Sequence, residues 1–117
     1  MTKLLAKKLN LPILHTGNIY RAIAYKIWKA GVDPKNLEIS VSFAKDLTPS
    51  DLEIKDLNLE QIGEYASIIA SFPQIRDITY LFQRDFINNS NGAIIEGRDI
   101  GTVICLKQIL NFILLRM

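Results

Sequence analysis

The residues best suited to binding a phosphate stand in two polar segments, each directly after a short apolar run. The first segment, residues 16–21, lies between the apolar residues 11–14 and a predicted helix. A helix N-terminus presents free N–H groups and a partial positive charge, which the hydroxyl of Thr16 and the guanidinium of Arg21 would complement as an anion site. A plain helix N-cap followed by a surface arginine fits this local pattern as well.

The second segment, residues 96–101, reads Glu-Gly-Arg-Asp-Ile-Gly and follows the apolar residues 93–95. Ligands of open α/β sheets bind beyond the carboxyl ends of the strands, where this segment is predicted to lie. The two glycines permit close approach of the backbone, and the Arg98 guanidinium can hold a phosphate through two parallel hydrogen bonds. A tight turn with a local ion pair between Arg98 and Asp99 is the alternative.

Other residue types offer less chemistry. Arg76 by itself indicates an ordinary helix arginine, and His15 is the single histidine, so no histidine cluster can hold a metal ion. Cys105 is the single cysteine and has neither a disulfide partner nor a histidine placed to activate it. The first glycine is Gly17, so the sequence offers no Gly-rich loop for ATP phosphates ahead of the first helix.

The hydrophobic pattern predicts a helix-rich α/β fold to position these residues. Helices are expected over residues 3–9, 19–30, part of 37–47, 60–71 and 74–87. Extended segments are expected over residues 11–14, 93–96 and 109–114, the last two pairing in parallel. Continuous apolar strands separated by helices indicate a parallel sheet covered on both faces. Gly31 suits the C′ position of a helix, and Asn58 with Gln61 has capping-box spacing.

Composition excludes several classes of protein. The chain has 117 residues, 49% of them hydrophobic and 22% charged, which argues against intrinsic disorder. The net charge of +2 is too small to indicate nucleic-acid or membrane binding. The longest apolar run is far shorter than the ~20 residues of a spanning helix, and no targeting segment is visible. We therefore predict a cytoplasmic protein without nucleic-acid or membrane partners.

Four segments in a fixed order resemble the bacterial cytidylate kinases. They comprise residues 5–12, 16–21, 72–76 and 96–103, and the resemblance extends from residue 2 to about residue 104. The most specific piece is Gly-Arg-Asp-Ile-Gly-Thr-Val. The resemblance implies a partial P-loop nucleoside-monophosphate kinase fold, a parallel sheet flanked by helices. It also implies phosphoryl transfer from ATP to CMP or dCMP with Mg²⁺ by an enzyme that is usually monomeric.

Matching positions imply a CMP site of five residues, expected to line one concave surface at the carboxyl ends of the strands. These are Thr16, Arg21, Arg76, Arg98 and Asp99. The serine or threonine of the family meets the acceptor nucleotide, the arginines surround its phosphate, and the aspartate helps to recognise the nucleoside. Arg98 is also the expected catalytic residue, because phosphoryl transfer depends on positioning and charge stabilisation. Residues 1–117 would form one partial kinase domain, with about 32–88 as its helical CMP-binding portion.

Three departures from the family bear on activity. The family's P-loop would precede Met1 and its lid arginines would follow residue 117, so the chain is expected to be a middle portion. By itself it is then expected to bind neither ATP nor a metal ion, and to be inactive. His15 also replaces an acidic residue of the family. A non-catalytic CMP-binding module or a degenerate relic of a kinase is the alternative.

Overall fold

The computed structural model describes residues 2–90, 92–97 and 101–106. Their helices are α1 (Thr2–Leu9), α2 (Thr16–Lys29), α3 (Leu37–Lys45), α4 (Glu60–Ala70) and α5 (Pro73–Asn89). Two 3₁₀ turns, Pro49–Glu53 and Lys55–Asn58, connect α3 to α4. The strands are β1 (Ile13–His15), β2 (Gly92–Gly97) and β3 (Gly101–Leu106). The predicted helix-rich α/β fold is thus confirmed. Among the described residues, no helix has both the length and the apolar character needed to cross a membrane.

The described strands form one mixed sheet in the order β1-β2-β3. β1 pairs with β2 in parallel, whereas β2 pairs with β3 antiparallel. The prediction of a parallel sheet is therefore wrong in part: the described sheet is mixed, and its antiparallel strand β3 was not predicted as a strand. The pair Gly97 and Gly101 closes the β2–β3 ladder, and the short connection between them suits a hairpin, whereas parallel strands need a crossover of a dozen or more residues. The predicted strand over residues 109–114 lies outside the described residues.

Contacts along the chain define two compact units. The strand unit comprises residues up to Thr16 together with those from Gln83 onward, and the helical unit comprises residues 17–82. In the strand unit, the consecutive residues Ala93, Ile94 and Ile95 are all buried. Since successive side chains of a strand point to opposite faces, both faces of β2 are covered, as its continuous apolar sequence predicted.

The core of the helical unit follows the apolar stripes read from the sequence. Ile19, Ile23 and Ile27 of α2 are fully buried, and so are isoleucines of α4 and α5. α2 ends as predicted, because Gly31 has φ +72° and the N–H of Val32 donates to the carbonyl of Ile27 at 3.2 Å. Glycine adopts this left-handed conformation without the steric cost that a side chain would bring.

The cap predicted for α4 is wrong. Asn58 ends the second 3₁₀ turn, and Leu59 occupies the N-cap position without a side-chain hydrogen bond. The N–H of Leu59 instead donates to the carbonyl of Asp56 at 3.2 Å, which continues the turn up to the helix. A cap lies earlier, at the start of the first 3₁₀ turn. There the N–H of Thr48 donates to Oδ2 of Asp51 at 2.8 Å, and the N–H of Asp51 donates to the carbonyl of Thr48 at 3.0 Å.

Candidate functional site

The parallel strands bring their carboxyl ends to the same edge of the sheet. β1 ends at His15, and Thr16 directly after it is the first residue of α2. β2 ends at Gly97 at that same edge, since His15 pairs with Glu96 in the register. This edge is where α/β sheets bind ligands. Arg98 and Asp99 lie outside the described residues, so their predicted roles stay predictions.

A close polar contact that the sequence did not reveal joins these strand ends. The Nδ1 atom of His15 lies 3.2 Å from Oε2 of Glu96, with the two side chains 50% and 34% exposed. Two carboxylates directly opposite each other across a ladder repel. An acidic residue in place of His15 would therefore face the Glu96 carboxylate unfavourably. The pairing depends on strand register, so local sequence carried no signal for it.

In the helical unit, Arg21 is anchored by the backbone of a neighbouring element. Its Nη1 atom donates to the carbonyl oxygen of Leu57 at 2.8 Å. Its guanidinium also lies against Gly63 of α4, where an added Cβ would stand 3.3 Å from Nη2. A guanidinium has five N–H donors, of which this bond uses one. This contact to Leu57 therefore fixes the position of the Arg21 side chain and occupies one of its donors.

Arg76 lies in the first turn of α5, with its side chain exposed. It makes no ion pair or side-chain hydrogen bond with another residue in the described part of the chain. Its carbonyl accepts a hydrogen bond of 2.8 Å from the hydroxyl of Thr79. That hydroxyl also bonds the Tyr20 hydroxyl at 3.2 Å, which links α5 to the residue preceding Arg21. Sequence reasoning missed Thr79, although its spacing of four from Ile75 places both on one helix face.

The C-terminal half of α2 is held by a second polar contact. Nζ of Lys26 lies 2.9 Å from Oδ2 of Asp51 and donates to the carbonyl of Asp46 at 3.0 Å. Burial opposes ionisation of Asp51, but the bonds from Lys26 and from Thr48 outweigh it, so the pKa of Asp51 is lowered. An open groove of about 460 Å³ borders this contact, lined by aromatic, basic and acidic side chains from α2, α3 and the first 3₁₀ turn.

The five predicted site residues are thus distributed over the molecule as follows. Thr16 belongs to the strand unit, and Arg21 and Arg76 belong to the helical unit. The other two are not among the described residues. The expectation that all five line one surface stays a prediction.

Comparisons with known proteins give one consistent result. A family model described as cytidylate kinase matches residues 1–114. The chain is 39% identical over 108 residues to the cytidylate kinase of Paramagnetospirillum magneticum, covering 90% of this chain and 51% of that protein. It is 41% identical over 103 residues to that of Nitrobacter winogradskyi, covering 88% and 49%. The chain therefore spans about half the length of these curated relatives.

Proposed function

The chain belongs to the cytidylate kinase family, whose members are nucleotide-binding transferases, and from this we propose that it supplies the acceptor-binding part of a CMP kinase. The proposed reaction transfers a phosphoryl group from ATP to CMP or dCMP, giving CDP or dCDP. The family match over residues 1–114 carries this proposal. In support, two arginines predicted to bind phosphate stand on α2 and α5, which a hydrogen bond between Tyr20 and Thr79 joins.

In this proposal, residues of the chain bind the acceptor nucleotide mainly through its phosphate. The guanidinium groups of Arg21, Arg76 and Arg98 neutralise and orient the phosphate, since planar forks bind its oxygens in pairs. The Thr16 hydroxyl adds a hydrogen bond at the start of α2, and Asp99 recognises the nucleoside. Phosphoryl transfer leaves little covalent chemistry to the protein, so holding the acceptor in place is a large share of catalysis.

We assign no residue of this chain to the binding of ATP, the phosphoryl donor. Cytidylate kinases generally use ATP and Mg²⁺. The 117 residues contain no Gly-rich phosphate loop ahead of α2. The part of the chain that the structure describes has no group of three or more His, Cys, Asp or Glu side chains placed around a metal ion. The described residues thus supply no set of ligands for ATP phosphates or Mg²⁺. We propose that the 117-residue chain alone binds CMP without transferring phosphate.

Isothermal titration of the purified chain with CMP and with cytidine tests acceptor binding. We expect CMP to bind more tightly than cytidine, because the phosphate supplies the arginine contacts. Arg76→Ala should remove most of that difference. Arg84→Ala on the same helix is the matched control, since Arg84 contacts Asp85 at 3.8 Å and has no predicted ligand role. Equal affinities for CMP and cytidine in the unmutated chain would contradict the proposal.

A coupled assay of ADP formation from ATP and CMP tests the second half of the proposal. We expect no turnover from the 117-residue chain. Turnover near 1 s⁻¹, about the low end of ordinary enzyme rates, would show that the donor site is present after all. CMP binding by a chain extended to the length of its relatives, still without ADP formation, would favour the non-catalytic module instead.

A further inference from the structure

We propose that Thr79 and Tyr20 are positioning residues for the acceptor phosphate. Their hydroxyl pair fixes the first turns of α2 against the first turns of α5, and thereby sets the placement of Arg21 relative to Arg76. The inference rests on the proposed CMP binding and deepens it. It adds Thr79, which lies outside every sequence motif, and gives a role to Tyr20, which lies within the segment 16–21 but had none.

The burial of Thr79 is the first observation. Its side chain is fully buried at a position of α5 where the helical spacing from Ile75 favours an apolar residue. A buried hydroxyl without partners is costly. Here the hydroxyl donates to the carbonyl of Arg76 at 2.8 Å and bonds the Tyr20 hydroxyl at 3.2 Å. One atom therefore ties the backbone of Arg76 to a side chain of α2.

The second observation is that α2 is held from another direction at the next residue. Arg21 donates to the carbonyl of Leu57, in the 3₁₀ turn before α4, at 2.8 Å. Tyr20 and Arg21 point in directions about 100° apart, as successive residues of a helix with 3.6 residues per turn do. The start of α2 consequently cannot rotate or slide without losing one of these two bonds.

The chemistry of the proposed ligand explains why this matters. Two guanidinium groups can share one phosphate only if their planes meet its oxygens at hydrogen-bond distance. Small misplacements of such groups, of the order of 1 Å, are enough to cost large factors in reactivity. Valine has nearly the shape of threonine and would pack in the same place. Thr79→Val therefore keeps the packing of the core and removes only the hydroxyl that links the two helices.

The test compares the affinities for CMP and cytidine in Thr79→Val and Thr79→Ser. Thr79→Val should weaken CMP binding about five- to tenfold, equivalent to one hydrogen bond, and leave cytidine binding unchanged. Thr79→Ser retains the hydroxyl and should bind CMP about as tightly as the unmutated chain. Tyr20→Phe removes the other oxygen and should reproduce the loss, which keeps the inference testable if Thr79→Val does not fold.

Ser71→Ala is the matched control. The exposed Ser71 hydroxyl donates to the carbonyl of Ile68 at 2.6 Å, the same local bond that Thr79 makes, but without a link to a second helix. Its removal should leave both affinities unchanged. If the positioning variants lower CMP and cytidine affinities equally, or if Tyr20→Phe binds CMP as tightly as the unmutated chain, the inference is wrong while CMP binding stands. An unmutated chain that does not prefer CMP over cytidine would overturn the proposed function and this inference together.

Discussion

Replacing Gly63 by alanine tests how firmly Arg21 is held. The added Cβ would stand 3.3 Å from Nη2, 3.5 Å from Nη1 and 3.6 Å from Cζ of Arg21. Ordinary carbon contacts are about 3.5–4.0 Å, so the guanidinium must shift by a few tenths of an ångström. That shift weakens the 2.8 Å bond from Nη1 to the carbonyl of Leu57.

Two opposing effects set the expected magnitude. Alanine in place of glycine inside a helix stabilises by about 0.5–1 kcal/mol. A hydrogen bond from a charged donor contributes about 1.5–3 kcal/mol to stability. Displacing the partly exposed Arg21 guanidinium weakens its bond to Leu57 and removes only a fraction of that contribution. We therefore expect Gly63→Ala to change the free energy of unfolding by less than about 0.5 kcal/mol.

A double-mutant cycle separates the two effects. In an Arg21→Ala background nothing is left to displace, so Gly63→Ala should stabilise by the full helix-propensity gain of about 0.5–1 kcal/mol. Urea unfolding followed by circular dichroism measures the four variants. Gly17→Ala is the control, since an added Cβ there meets no atom within 4 Å, and its effect should be the same in both backgrounds. Equal stabilisation by Gly63→Ala in both backgrounds would refute the contact between Arg21 and α4.

Three further substitutions have definite expected outcomes. Asp51→Asn should destabilise by about 1 kcal/mol at pH 7. The folded pKa of Asp51 lies below its ordinary 3.8, so this contribution is present above pH 3.8 and is lost as the pH falls through the folded pKa. The urea midpoints of the mutant and the unmutated chain should therefore converge as the solution is acidified below pH 3.8. Gly31→Ala should lower stability by about 1 kcal/mol through φ +72° alone, as no atom lies within 4 Å of the added Cβ, and thermal unfolding should show Gly31→Asn to be the milder change. Ile23→Ala removes a fully buried side chain and should cost about 2–5 kcal/mol in urea unfolding, and a loss below 1 kcal/mol would contradict the core assignment.

The sequence by itself determined the helices and much of the core, because the signals are local. Apolar residues at helical spacing placed Ile19, Ile23 and Ile27 on one buried face. The C′ glycine of α2 was recognisable because the left-handed conformation it needs favours that residue type. Four short motifs in family order were sufficient to identify the family, since their spacing along the chain is itself a sequence property.

The sheet topology and the polar contacts were decided only by the tertiary structure. The antiparallel pairing of β3 was missed because residues 101–106 carry no period-2 alternation distinguishing a returning strand from a connection. The acceptor of Arg21 and the partner of Thr79 lie 36 and 59 residues away along the chain. Contacts between residues so distant depend on how the helices dock against one another, and a single sequence encodes that docking only through the sum of all its packing interactions.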